Sequence, residues 1–178
     1  MICGIGNKDI PCDSLGQMVC AGVFASNAVE WMNVGRVCTF CPNVESETGI
    51  ETADLVINVA KSVNAKLIVL VDSLMTNSVH RLGRSFQFST SGLTPAGAMG
   101  KQKTISKKTS NINCLTVGVP FMFNLRNYDT TLEHDVIVST KDITGQVLLC
   151  SKLIANSLNE IFNSSLTKKE IQELKRQF

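Results

Sequence analysis

Short apolar stretches alternate with amphipathic segments along most of the chain. The stretches at residues 1–6, 66–71 and 113–119 are rich in apolar residues, which is typical of parallel strands that helices cover on both faces. A further strand is predicted at 34–40. Residues 85–89 (SFQFS) alternate between polar and apolar positions, which predicts another strand. Parallel strands therefore dominate the predicted sheet.

Helices are predicted between these strands. Asp13 or Ser14 can cap a first helix over residues 15–24, whose apolar positions recur at helical spacing. Thr48 and Glu51 have the spacing of a capping box, which predicts the start of a second helix. The order of strand, polar loop and helix is the repeating unit of an α/β fold.

The second half of the chain adds further helices to this pattern. We expect a short helix at 73–82, a flexible loop at 92–100, and a long amphipathic helix at 142–162. Thr167 can cap a short, charged final helix. The whole predicts a single α/β domain over residues 1–178, in which a mainly parallel twisted sheet lies between two layers of helices.

Composition narrows the function classes. Seventeen Lys and Arg residues against 15 Asp and Glu residues give a net charge of +2, which argues against direct nucleic-acid binding. The apolar runs are far shorter than the roughly 20 residues of a membrane helix, so we expect no membrane association. Seven cysteines, an odd number with no compact framework, predict reduced thiols in the cytoplasm.

Two aspartates follow predicted strands. Asp13 lies in the loop after the first strand, and Asp72 directly follows the strand at 66–71. Ligands of open α/β sheets bind beyond the carboxyl ends of the strands, so the two carboxylates face one crevice if these strands are neighbours. Such a pair can share a proton and act as base and acid toward water, or hold a metal ion that activates the water.

Other interpretations of these residues stay open. Each aspartate alone can be a structural cap at a strand end or helix start. The spacing of Cys38 and Cys41 is that of a redox pair, although Pro42 and a polar loop follow where a thioredoxin-like motif opens a helix. A redox protein therefore remains a third functional class.

Several blocks of the sequence resemble, in order and with similar spacing, the bacterial spore germination proteases. These blocks are GIGNKDIPCDSLG, CPNVESETGIETADLV, LIVLVDSLMTNSVHR, FQFSTSGLTPAGAMGKQKTISKKT and LTVGVPFMF. They cover residues 3–123. The family consists of cytoplasmic endopeptidases that degrade small acid-soluble, DNA-protecting spore proteins at germination. They are atypical aspartic peptidases whose fold is similar to that of the hydrogenase-maturation proteases.

The resemblance implies a cytoplasmic peptidase without a cofactor, which acts on a small acid-soluble spore protein or peptide. The family's two proposed catalytic aspartates fall on Asp13 and Asp72. The matched blocks also contain residues that we expect to shape the first turn or to line or gate the substrate crevice. These residues are Gly4, Gly6, Asn7, Gly49, Glu51, Ser91, Gly92, Pro95 and Gly97.

The resemblance also leaves alternatives. In the maturation proteases, acids that match Asp13 and Asp72 bind metal together with a histidine. Neither His80 nor His134 lies in a block that clearly supplies this ligand, so we prefer a metal-free carboxylate pair. A metal-dependent maturation-type peptidase and a non-catalytic peptide-binding paralogue are the alternatives, and the sequence leaves a homo-oligomer open.

This chain departs from the family pattern at three places. Thr94 stands where the family usually has a histidine before the proline, and Ala96 replaces the first glycine after that proline. The chain begins at Met1, two residues before Cys3, so we expect it to lack the propeptide of the family. The sequence therefore implies the peptidase fold more firmly than the substrate.

Overall fold

The computed structural model describes residues 1–29, 35–96 and 103–177. The strands in these residues are β1 (Ile2–Gly4), β2 (Thr39–Phe40), β3 (Leu67–Thr76), β4 (Gln87–Ser89), β5 (Asn113–Asn124) and β6 (Ile137–Val138). They form one sheet in the order β2-β1-β3-β5-β4, and β6 also pairs with β5. Strands β2, β1, β3 and β5 run parallel, whereas β4 and β6 run antiparallel to β5. The predicted mainly parallel sheet is confirmed.

The helices flank this sheet. They are α1 (Leu15–Gly22), α2 (Glu45–Thr48), α3 (Thr52–Ser62), α4 (Lys107–Ser110), α5 (Ile143–Phe162) and α6 (Lys168–Gln177). The long helix predicted at 142–162 is therefore confirmed as α5. Thr167 caps α6 as predicted, because its Oγ1 accepts a hydrogen bond from Glu170 N at 3.3 Å while the Glu170 carboxylate accepts one from Thr167 N at 2.7 Å.

Alternate residues of β3 fill two separate cores. Val69 and Val71 pack in one core with α1 and α5, and Ile68 and Leu70 pack in the other with α3. Burial of each such side chain contributes about 1.5–3 kcal/mol to folding before the entropy of ordering is subtracted. A strand whose two faces are both apolar is thus stable only between two helical layers, which confirms the three-layer α/β fold.

Strand β3 is longer than predicted. It continues past Asp72 to Thr76, because its parallel pairing with β5 extends to the pair Thr76 and Phe123. The helix predicted at 73–82 is therefore wrong, and a 3-10 turn at Val79–Arg81 follows the strand instead. Asp72 lies inside the strand rather than after it.

Two further local predictions need correction. Of the strand predicted at 34–40, only Thr39–Phe40 forms a strand, while residue 34 lies outside the described residues. The capping box at Thr48 and Glu51 is wrong, because Gly49, with a φ of +67°, ends α2 directly after Thr48. Glu51 is itself the N-cap of α3, and its side chain accepts a hydrogen bond from Ala53 N.

No helix within residues 1–29, 35–96 and 103–177 combines the length and apolar character needed to cross a membrane.

Candidate active site

Neighbouring strands bring Asp13 and Asp72 to one cavity. Gly4 at the end of β1 pairs with Val71 of β3, so β1 leaves the sheet at the level of Asp72, the next residue of β3. The cavity at this edge has a volume of about 320 Å³ and is lined by both aspartates. The segment before α2, β3 itself and residues 93–96 supply further walls. The crevice lies where α/β folds usually bind ligands.

The β1–α1 loop (residues 5–14) holds Asp13 in place. Gly6 has a φ of +109°, and a Cβ atom there would lie 2.1 Å from the backbone oxygen of Asp13. Only glycine allows this approach. The backbone N–H of Asn7 then donates a hydrogen bond to Asp13 Oδ2 at 2.7 Å. Asp13 lies in a 3-10 turn, Pro11–Asp13, directly before α1.

The same loop depends on close packing of α1 against the sheet. A Cβ atom on Gly4 would lie 2.2 Å from the backbone oxygen of Gly16, and one on Gly16 would lie 2.4 Å from that of Ile5. Two glycines therefore let the first turn of α1 contact β1 backbone to backbone. This contact fixes where the helix starts and hence where Asp13 lies.

Asp72 is the more deeply buried of the two acids, with 9% of its surface exposed. Burial, with a smaller contribution from the negative charge of Asp13, raises the pKa of Asp72 to about 8, although the backbone N–H of Ser73 opposes the shift. At neutral pH the carboxyl of Asp72 is therefore mainly protonated. It can donate a proton, or a hydrogen bond, to a group in the cavity.

Asp13 has a different environment. Burial raises the pKa of Asp13 above its ordinary value, while the hydrogen bond from Asn7 N stabilises the ionised form and limits the rise. Both pKa values are therefore raised, but that of Asp72 is raised further, so Asp72 holds its proton more strongly than Asp13 does. This is the asymmetry that a general base and a general acid require.

The structure adds two residues that sequence analysis missed. Asn43 lines the cavity in a left-handed conformation, with a φ of +64°, and its Nδ2 donates a hydrogen bond to the carboxylate of Glu47. Glu47 Oε1 also accepts a hydrogen bond from Asn7 Nδ2 at 2.9 Å. The polar segment at residues 42–47 (PNVESE) indicates only a turn, because nothing in the local sequence shows that α2 contacts the β1–α1 loop.

The predicted substrate-contacting residues lie in different parts of the structure. Gly6 and Pro95 line the cavity, whereas Gly4 and Asn7 support the loop that holds Asp13. The other described residues of this set do not line the cavity. Gly49 faces open space, and Glu51 caps α3. Ser91 Oγ lies 2.6 Å from Ser89 Oγ, and Gly92 packs on the backbone of Ile105. Gly97 lies outside the described residues. Thr94 and Ala96, the departures from the family pattern, both line the cavity.

Potential metal ligands are few around the aspartate pair. Among the described residues that line the cavity, neither His80 nor His134 appears. No group of three or more His, Cys, Asp or Glu side chains in the described parts of the chain is placed to hold a metal ion. The two carboxylates alone therefore do not form the three-ligand set of a catalytic zinc site.

The cysteines are all free thiols. Cys41 interacts with Cys20 of α1, whose hydrogen bond lowers the pKa of the Cys41 thiol. The structure thus gives Cys41 a thiol partner in α1, whereas the redox interpretation names Cys38.

A family model described as germination protease matches residues 1–128 of the chain. The chain belongs to the germination protease family. The germination protease of Oceanobacillus iheyensis is 31% identical over 128 residues, which cover 67% of this chain and 35% of that protein. The germination protease of Clostridium perfringens is 26% identical over 169 residues, which cover 90% of this chain and 51% of that protein. The resemblance stated from the sequence is confirmed.

The chain spans about a third to a half of the length of these germination proteases. Among solved structures, a [NiFe] hydrogenase maturation protease, HycI, from Thermococcus kodakarensis KOD1 is similar with a TM-score of 0.49 and 17% identity. That match covers 89% of this chain and 90% of the other.

Proposed function

We propose that the protein is an endopeptidase that hydrolyses peptide bonds with Asp13 and Asp72 as an acid–base pair. The observation that carries this proposal is the meeting of two carboxyls in one cavity, where burial raises the pKa of both and raises that of Asp72 further. Membership of the germination protease family supports the reaction class. A buried acid is otherwise costly to the fold, so a functional role explains why Asp72 lies inside a strand.

The pair divides the chemistry of hydrolysis. Ionised Asp13 accepts a proton from a water molecule, whose oxygen attacks the carbonyl carbon of the peptide bond. Protonated Asp72 donates its proton to the carbonyl oxygen, which stabilises the tetrahedral intermediate. The C–N bond then breaks as the leaving nitrogen takes the proton held by Asp13, and the hydroxyl proton of the intermediate returns to Asp72. A carboxylic acid and an amine are released, and both aspartates regain their starting forms.

We propose a small acid-soluble spore protein, in the cytoplasm, as the substrate. The support is membership of the germination protease family, together with the substrate class that the resemblance of the matched blocks implies. Incubation of the protein with such a spore protein, followed by mass spectrometry of the products, tests both the activity and the cleavage site.

Two isosteric variants test the roles of the aspartates. Asp13→Asn and Asp72→Asn should each lower kcat by about 10²–10⁴-fold, because each removes one proton-transfer group while keeping its shape. The control is Asp9→Asn, an exposed residue of the same loop, which should retain activity. Wild-type rates in either Asp13→Asn or Asp72→Asn would rule out the pair as the catalytic groups.

Two further outcomes would favour the alternatives. Loss of activity on chelation, with recovery on adding zinc or nickel, would favour a metal-dependent maturation-type peptidase. Tight peptide binding by a protein that releases no products would favour a non-catalytic peptide-binding paralogue. Sedimentation at assay concentrations tests whether the active form is a homo-oligomer.

A further inference from the structure

Strand β3 has an unpaired edge directly beyond Asp72. Strand β1 ends at Gly4, which pairs with Val71, and the hydrogen bond from Ile5 N to Val71 O at 2.8 Å follows it. Strand β3 continues to Thr76 and pairs there with β5 on its other side. Among the described residues, no strand pairs with the β1 side of β3 after Val71.

The backbone groups of β3 alternate between its two sides. Val69 N and Val71 O both form hydrogen bonds with residues that flank β1, at 2.9 and 2.8 Å. In a parallel ladder every second residue directs its N–H and C=O groups to the same neighbour. The next residues in this series are Ser73 and Met75, so their backbone groups face the unpaired edge.

A bulge in the sheet leaves this alternation intact. The register between β3 and β5 shifts after Leu74, which pairs with Pro120, because Met75 pairs with Met122. The extra residue, Phe121, therefore belongs to β5, and β3 keeps its regular alternation.

Met75 is the accessible residue of this edge. It is 51% exposed, and it lines the cavity together with Asp72. Ser73 is buried, and its N–H donates to the carboxyl of Asp72. The unpaired edge therefore begins at the aspartate pair and opens to the cavity at Met75. An unpaired strand edge is a template to which an extended chain can add.

We propose that the peptide substrate adds as an extended strand to the unpaired edge of β3, where it forms hydrogen bonds with the N–H and C=O of Met75. This inference rests on the proposed peptidase function. Three residues of a strand span about 10 Å, so a peptide paired at Met75 reaches Asp72 about three residues further along. Such a site accepts many sequences, but it excludes proline at the peptide residue that donates to Met75 and requires this segment to be extended.

Amide hydrogen exchange tests the pairing without altering Met75. The isotope-labelled Asp13→Asn protein, which should not cleave, is saturated with the tightest of a set of overlapping synthetic peptides of a small acid-soluble spore protein. We expect NMR to show that exchange of the Met75 amide slows by about tenfold or more, because this N–H gains a partner. The control is the amide of Phe88, an exposed residue of β4 that does not line the cavity, and its exchange should not change.

Met75→Pro removes the donor. Proline lacks a backbone N–H, and it is tolerated in a strand where that N–H makes no bond within the sheet. In the same Asp13→Asn background we expect Met75→Pro to raise Kd about tenfold, and Met75→Ala, which keeps the N–H, to raise it less. Phe88→Pro is the matched control and should leave Kd unchanged. Thermal denaturation verifies that each variant folds.

N-methylation of the peptide locates its donor. The backbone amides of the tightest peptide are methylated one at a time. We expect the most sensitive position to raise Kd about tenfold. This position should lie about two to four residues from the bond that the wild-type protein cuts, because Met75 is three residues from Asp72.

Three results would overturn the proposal. The first is unchanged exchange of the Met75 amide in the saturated complex, a measurement that does not depend on Met75→Pro folding. The second is unchanged Kd in a folded Met75→Pro protein. The third is slower exchange at Phe88 instead of Met75, which would show that the peptide adds to β4.

These results separate the inference from the proposed function. A peptide that protects the Met75 amide but is never cut by the wild-type protein would contradict the peptidase and leave the role of the β3 edge intact. Cleavage by the wild-type protein with no protection of Met75 would contradict the role of the edge alone.

Discussion

The two aspartates of the cavity are held by different kinds of structure. Asp72 belongs to β3, where it pairs with Gly118 of β5 and directly follows Val71, which pairs with Gly4 of β1. Asp13 lies in a loop whose shape depends on Gly6 and on a hydrogen bond from Asn7 N. The strand places Asp72 rigidly but buries it, whereas the loop keeps Asp13 better solvated and leaves its position dependent on a few contacts.

This difference explains the proton preferences of the pair. Burial raises both pKa values, but the residue in the sheet loses more hydration and its pKa rises further, whereas a backbone N–H donates to the residue in the loop and limits the rise there. A substitution in the loop should therefore shift the position of the Asp13 carboxyl, whereas a substitution in the strand should change the protonation of the pair. Substitutions in each region separate these two effects.

The largest effect is expected for Gly6→Ala. The added Cβ would lie 2.1 Å from the Asp13 backbone oxygen, at a φ of +109° that L-residues rarely adopt, so we expect a loss of about 3 kcal/mol or more in unfolding free energy. Urea denaturation measures this loss. Gly49→Ala is the control, since a Cβ at Gly49 meets nothing within 4 Å; its φ of +67° should cost about 1 kcal/mol. Equal losses would refute the packing argument.

A pH-dependent effect is expected for Asp72→Asn. Because folding raises the pKa of Asp72 from its ordinary value of 3.8 to about 8, the folded state binds the extra proton between these values, and wild-type stability falls as the pH rises through them. Asparagine does not titrate. We expect Asp72→Asn to be more stable than wild type by at least about 2 kcal/mol at pH 9, which corresponds to a Tm higher by at least roughly 4 °C.

The comparison with Asp13→Asn sharpens this result. The pKa of Asp13 is raised as well, so its substitution has the same sign, but the hydrogen bond from Asn7 N opposes the shift and the gain in Tm should be smaller. Melting curves from pH 4 to pH 9 measure both variants. A gain for Asp72→Asn that is already complete at pH 4 would show that the pKa of Asp72 is not raised.

The smallest effect is expected for Asn7→Ala. This variant removes the side-chain hydrogen bonds to Asp9 N and Glu47 but keeps the backbone N–H that contacts Asp13. We expect a loss of about 1 kcal/mol in unfolding free energy and a fall in kcat of less than about tenfold. A fall in kcat as large as that of Asp13→Asn would show that the side chain, not the backbone, positions Asp13.

The sequence predicts the fold well because its strongest signals are local. Continuous apolar runs mark β3 and β5, and the spacing of α5 is regular over its whole length. The end of β3 could not be predicted, because a charged residue such as Asp72 normally ends a buried strand. It does not end β3, since the pairing with β5 and the raised pKa allow a neutral carboxyl within the sheet.

The candidate site was only partly predictable for a related reason. Asp13 and Asp72 follow from the rule that ligands bind at the carboxyl ends of strands. The places of Asn43 and Glu47 in the site depend on a contact between α2 and the β1–α1 loop. The two residues that make this contact, Asn7 and Glu47, are 40 positions apart in the sequence. Such contacts arise from tertiary packing and leave no periodic trace in the sequence.

Helix α5 shows that the match to the family model and the cooperative unit of the fold end at different places. The family model stops at residue 128, yet α5 supplies Val147, Ile154 and Leu158 to the same core as α1. Asn159 of α5 also accepts a hydrogen bond from Phe24 N at 2.9 Å and donates one to Gly22 O at 3.1 Å, at the end of α1. The matched segment and α5 therefore form one cooperative unit, whose amides should exchange with solvent together, although the family model covers only its first part.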